Sequence, residues 1–183
     1  MLAAGDKAPS FTALDQNGSK HDSKQMKGKR YLVYFYPKDS TPGCTVQACG
    51  LQSDLEHFNA LGIPVFGVSM DSVASHKKFA DKYSLHFPLL ADTDKTMIEA
   101  FGVWVEKSLY GRKYFGIQRS TFVVDAKGRI EKVWEKVSPD THAEEVIAYL
   151  SGGVEPATTG KAAKKAAAKK AVAKKTAAGK APK

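Results

Sequence analysis

Tyr31-Leu32-Val33-Tyr34-Phe35-Tyr36-Pro37-Lys38-Asp39-Ser40-Thr41-Pro42-Gly43-Cys44-Thr45-Val46-Gln47-Ala48-Cys49 reads as a buried strand, a turn and the opening of a helix. It holds both cysteines of the 183-residue chain. Residues 31–36 are continuously apolar and aromatic, as a strand buried on both faces requires. Leu51, Leu55, Phe58 and Leu61 then continue one helical face, which predicts a helix over 44–60. Cys44 falls in its first turn, where unpaired N–H groups and the positive end of the helix dipole favour an anion. A thiol placed there is expected to lose its proton more readily, and the thiolate is the nucleophile. Thr41-Pro42-Gly43 precedes it directly, so a turn should expose Cys44.

On one continuous helix, Cys44 and Cys49 are separated by about 7.5 Å along the axis and rotated by about 140°. Their Cα atoms then lie almost 9 Å apart by the same geometry, beyond the roughly 7 Å limit of a disulfide. The pair can bond only if the first turns unwind. Reduced and oxidised forms should therefore differ locally, as suits a redox couple better than a static staple. Two other readings compete. Lone cysteines in a cytosolic protein often serve as small buried hydrophobes. Four intervening residues also fit zinc-ligand spacing, but His21, His57, His76, His86 and His142 include no pair at three-to-five spacing. No metal site is expected.

The chain has room for one domain and an appendage, and a hydrophobic fraction of 43% suffices for a core. The first residues carry no apolar stretch like that of a signal peptide, and no run approaches a membrane span. The expectation is a cytoplasmic protein, where a disulfide is transient. The net charge of +9 is unevenly placed, because nine lysines lie between Lys161 and Lys183 and all 19 acidic residues lie at or before Glu155. The other 19 of the 28 Lys and Arg balance those acids, so the body is formally neutral.

Further along, Asn17-Gly18 signals a hairpin within 5–28. Residues 63–70 read as a second buried strand, followed by a helix with Val73, His76, Ala80 and Tyr83 at helical spacing. A short strand, Phe87-Pro88-Leu89-Leu90, precedes a short helix from Lys95 to Phe101. A loop follows through Tyr110-Gly111 and Tyr114-Phe115-Gly116. A hairpin then pairs 120–124 with 129–137, and Ser138-Pro139 caps a last helix. This order predicts an α/β domain over 1–153 with a central mixed sheet flanked by helices. Its strand, cysteine turn, helix and closing hairpin give a thioredoxin-like order. Residues 154–183 form a separate unit, with lysine pairs at 164–165, 169–170 and 174–175. Those pairs encircle a helix axis instead of forming a face, so a disordered tail is expected. It either solubilises the protein or binds polyanions weakly and without sequence preference.

Pro37-x-x-x-Thr41-x-x-Cys44 resembles the active-site signature of peroxiredoxins. The fuller Thr41-Pro42-Gly43-Cys44-Thr45-x-x-x-Cys49 is similar to their bacterioferritin comigratory protein, or PrxQ, subfamily. Arg119-Ser120-Thr121-Phe122-Val123-Val124-Asp125 resembles the segment that supplies a catalytic arginine. The resemblance covers residues 5–150 and implies a thiol peroxidase acting on hydrogen peroxide and organic hydroperoxides in antioxidant defence. Cys44 would attack the peroxide and become a sulfenic acid. Arg119 would stabilise the leaving oxygen and favour the thiolate. Thr41 would orient the peroxide and Pro37 would shield the sulfur. Cys49 would resolve the sulfenic acid as an intramolecular disulfide, which thioredoxin or a similar dithiol would reduce. No cofactor is implied, and a monomer is expected. Thr41-Pro42 also reads as an N-cap before a first helical proline, a role open beside the first. The competing functions are a general thiol–disulfide oxidoreductase and a nucleic-acid-binding protein acting through the tail.

Overall fold

The computed structural model describes residues 1–152. Strand β1 (Thr12–Leu14) and β2 (Lys20–Asp22) form the expected hairpin, and β3 (Tyr31–Phe35) is buried along its whole length. Helices α1 (Pro42–Ser53) and α2 (Leu55–Ala60) lead to β4 (Val65–Ser69), α3 (Val73–Tyr83), β5 (Leu89–Ala91) and α4 (Thr96–Ala100). Strands β6 (Trp104–Leu109) and β7 (Arg112–Ile117) pair with each other, β8 (Ser120–Val124) and β9 (Ile130–Trp134) follow, and α5 (His142–Leu150) closes the domain.

Seven strands form one sheet in the order β2-β1-β5-β4-β3-β8-β9. β3, β4 and β5 run parallel, while β8 joins β3 antiparallel, so the sheet is mixed as expected. Period-two alternation divides β3 between two cores. Leu32, Tyr34 and Tyr36 pack with Cys44, Leu51, Phe58, Phe79 and Val146 from the helices of one face. Tyr31, Val33 and Phe35 pack with Ile98, Phe101, Phe122 and Val124 on the other. The middle strand is thus covered on both sides. Its C-terminal end delivers the chain to the segment with the cysteines.

Four sequence expectations change. The helix over 44–60 is two helices that meet at Asp54, so Leu51 and Phe58 are buried while Leu61 is exposed. Residues 104–117 are a two-stranded hairpin in place of a loop. Its turn, Tyr110-Gly111, takes positive φ at both positions, the geometry that suits the right-handed twist of a two-residue hairpin. The last helix is capped at Thr141, not at Ser138-Pro139. Cys44 is buried at 2% exposure, because the first turn of α1 packs down onto the sheet.

No helix among the described residues is long and apolar enough to cross a membrane. The expected tail, 154–183, lies outside the described residues.

Candidate active site

Thr41 occupies the N-cap position of α1 with extended backbone, and Pro42 follows as the first helical residue. That local pattern is what Thr-Pro at a helix start dictates. The Thr41 hydroxyl makes no capping bond, however; it donates to the Lys38 carbonyl at 3.0 Å. With its hydrogen committed there, its lone pairs are left to accept. Pro37 ends the strand segment and is exposed.

Cys44 and Cys49 are both free thiols on the continuous helix α1, Cys44 buried and Cys49 half-buried. Burial raises the Cys49 pKa above its ordinary value, which keeps this sulfur a neutral thiol in the folded state. The three-residue step from Cys44 brings Gln47 to the same helix face. Arg119, seventy-five positions along the chain from Cys44, reaches that face from the entry to β8. It donates through Nη2 to Cys44 Sγ at 3.2 Å and through Nη1 to Gln47 Oε1 at 2.6 Å. A planar, permanently charged fork is well suited to hold two acceptors at once.

Gly43 makes this approach possible. A Cβ built there would stand 3.3 Å from Arg119 Nη2 and 3.5 Å from Pro139 Cγ. Pro139 therefore belongs to the wall of this site. Ser120 and Thr121 fix the strand behind Arg119. Ser120 donates to the Glu135 carbonyl at 3.0 Å, and the Thr121 hydroxyl meets His142 Nε2 at 2.9 Å. Burial, and then the charge of Arg119, lower the His142 pKa to about 3. The ring is thus neutral near pH 7, and it ties β8 to α5.

The loop between Pro37 and Thr41 is anchored at Asp39. Its carboxylate accepts from Tyr36 Oη at 2.7 Å and Ser75 Oγ at 2.8 Å, and faces His76 Nδ1 at 2.9 Å. His76 Nε2 faces the Leu90 carbonyl at 3.2 Å, and the Asp39 N–H donates to Asp71 at 2.8 Å. Oxygens at both ring nitrogens thus fix the orientation of the imidazole against the carboxylate. Burial alone would raise the Asp39 pKa, but His76, Tyr36 and Ser75 together hold it below the ordinary aspartate value. This buried network carries the loop that positions Thr41 and Cys44. The structure therefore brings together Cys44, Arg119 and the Thr41–Cys44 turn, and adds Gln47, Asp39 and His76. Only Gln47 had a readable signal, its helical spacing from Cys44. Among the described residues, no cluster of three or more His, Cys, Asp or Glu could hold a metal ion.

The AhpC/TSA family model matches residues 4–133. The chain is 45% identical over 149 residues to "Peroxiredoxin Bcp" of Escherichia coli, covering 81% of this chain and 96% of that protein. The structure resembles peroxiredoxin Q of Xanthomonas campestris with a TM-score of 0.77 and 37% identity, covering 81% of this chain and 97% of that one. It also resembles the bacterioferritin comigratory protein of the same organism, studied for alkyl peroxide reduction, with a TM-score of 0.77 and 36% identity over 82% of this chain and 98% of that one.

Proposed function

The chain belongs to the AhpC/TSA family as a thiol-dependent peroxidase of the Bcp and PrxQ kind, and on that premise we propose that Cys44 is its peroxide-reacting sulfur. The observation that carries this assignment is the Arg119 fork held on both Cys44 and Gln47. The Cys44 thiolate attacks the terminal oxygen of hydrogen peroxide or a small organic hydroperoxide in line with the O–O bond. The Arg119 guanidinium, already beside the sulfur, lies where the leaving oxygen gathers negative charge. Thr41, with its own hydrogen given to Lys38, accepts the hydroxyl hydrogen of the substrate and so orients it. Pro37 covers the mouth of the site.

The reaction leaves a sulfenic acid on Cys44, and Cys49 condenses with it to form a disulfide and water. Because α1 runs unbroken from Pro42 to Ser53, the two sulfurs cannot meet until its first turns open. Amide exchange across residues 42–52 is therefore expected to be faster in the oxidised protein than in the reduced one. Equal protection in the two states would remove the Cys44–Cys49 route. Thioredoxin or a similar dithiol then reduces the disulfide through a mixed disulfide. The proposed form is a cytoplasmic monomer, since one chain supplies both thiols and Arg119. Stopped-flow oxidation of the reduced protein by hydrogen peroxide tests the assignment directly.

For the region after residue 153, the supporting fact is charge: nine lysines and a single acid, Glu155. We propose weak, sequence-indifferent binding to polyanions, driven by counterion release. A DNA gel shift at low salt should disappear when residues 154–183 are deleted, while the rate of reaction with peroxide stays unchanged. Absence of a shift with the full chain leaves only a solubilising role.

A further inference from the structure

Three separate segments close around a cavity at the end of the sheet away from Cys44. Tyr31 opens β3, whose other end leads to the cysteine turn. About 17 Å of extended chain therefore separates Tyr31 from the start of that turn. Residues within 7–10, 23–27 and 127–128 line the cavity together with Tyr31. Hydrogen bonds between the segments fix this wall. The Ala8 N–H donates to the Gly128 carbonyl at 2.9 Å, and the Gly28 N–H to the Ala126 carbonyl at 3.1 Å. The Ser23 N–H donates to the Phe11 carbonyl at 3.0 Å, and Ser23 Oγ accepts from the Phe11 N–H at 2.9 Å. The cavity is thus preformed. Its volume of about 670 Å³ is that of a small-molecule site.

Each segment brings lysine to the wall: Lys7 from the first, Lys24 and Lys27 from the second, Lys127 from the third. Among the described residues none of these four ammonium groups has an ion-pair partner. No acid lines the cavity. The carboxylates nearest in the chain are turned to backbone N–H groups: Asp6 to Ala3, Asp22 to Lys24, and Asp125 to Lys127 and Arg129. A concavity walled by one sign of charge focuses a positive potential. Its floor is different. Ala8, Pro9 and Met26 are half-buried there. Tyr31 is only 4% exposed, and its ring is held edge-on by Phe11 and Phe66 at 6.3 and 6.2 Å. Burial pushes its pKa up to about 12, so the hydroxyl keeps its hydrogen near pH 7. That hydroxyl has no hydrogen-bond partner among the described residues, which leaves a buried donor at the cavity to be satisfied from outside the protein.

We propose that this cavity is a binding site for a soluble polyphosphate that carries a ring, of the nucleoside triphosphate class. Four ammonium groups with no acid among them match several negative charges on one ligand, which a monocarboxylate does not carry. Lysine suits phosphate as a point charge. The apolar floor takes the ring, and the Tyr31 hydroxyl donates to a ligand oxygen or ring nitrogen. A concave wall admits a small soluble molecule and not the flat face of a bilayer. Because the site stands at the other end of β3, its occupant does not touch Cys44 or Arg119, and the inference is independent of the peroxidase assignment.

Calorimetric titration of the full chain with ATP, tripolyphosphate and adenosine, at moderate salt, tests the site. ATP should bind saturably with one molecule per chain, tripolyphosphate about tenfold more weakly for want of a ring, and adenosine not measurably. The double variant Lys24→Gln, Lys127→Gln should weaken ATP binding about tenfold by removing two charged donors. Tyr31→Phe, which removes only the hydroxyl, should weaken it about fivefold. Both variants keep the lysines after residue 153, so the losses report the cavity alone. Bound ATP should also slow amide exchange within residues 23–31, and both variants should react with hydrogen peroxide at the wild-type rate. Absence of saturable ATP binding would overturn the proposal. So would full affinity in both variants, which would place the binding on the C-terminal lysines, or equal affinity for tripolyphosphate and ATP, which would leave the apolar floor without a role.

Discussion

Cys44→Ser is expected to abolish peroxide consumption, whereas Cys49→Ser should consume one equivalent and stop. The two sulfurs share a helix and differ in surroundings. Cys44 is buried at the first turn, with Arg119 Nη2 3.2 Å from its sulfur. A serine hydroxyl at that position is not ionised near neutral pH and cannot replace a thiolate as nucleophile. Cys49 is half-buried, and burial raises its pKa. It is a neutral thiol in the folded state and becomes useful only when α1 opens. Without it the reaction should end at the Cys44 sulfenic acid, detectable by mass spectrometry after trapping with dimedone. Normal turnover by Cys44→Ser would show that the nucleophile lies elsewhere. Multiple turnovers by Cys49→Ser with thioredoxin as reductant would show that Cys49 is dispensable.

Loss of Arg119 should be the next largest effect. Arg119→Ala removes the cation beside the sulfur and the donor at the forming oxyanion, for a loss on the order of a hundredfold in the peroxide step. It also leaves the buried Gln47 Oε1 without its 2.6 Å partner, which will loosen the first turns of α1. Arg119→Lys should recover only part of the rate. A single ammonium can face Cys44 or Gln47, but it cannot bridge them as the guanidinium does. Rate constants from stopped-flow mixing with hydrogen peroxide measure both effects. Equal rates in all three proteins would take Arg119 out of the chemistry.

Much of this architecture was legible in the chain because the signals were local. The apolar, aromatic run 31–36 reads as a strand covered on both faces. Thr41-Pro42-Gly43 reads as a turn and helix start just ahead of Cys44. The hairpin 104–117 was missed because its turn, Tyr110-Gly111, lacks the usual Asn-Gly or Asp-Gly signal and places Tyr110 at positive φ. The exposure expected for Cys44 failed for a different reason. A turn sets where a helix begins, but packing against the sheet sets which side of its first turn is covered.

By itself, the sequence determined the order of elements outside the 104–117 hairpin and the break at Asp54, the helix-start setting of the nucleophile candidate and the impossibility of a disulfide across intact turns. Each follows from propensity, backbone geometry and spacing within a few residues. Only the tertiary structure decided that Arg119 bridges Cys44 and Gln47 and that Asp39 and His76 pair beneath the loop. Those contacts join residues 37 to 75 positions apart in the chain. No local periodicity encodes them, because the pairing of strands and the packing of helices on the sheet set the distances between them.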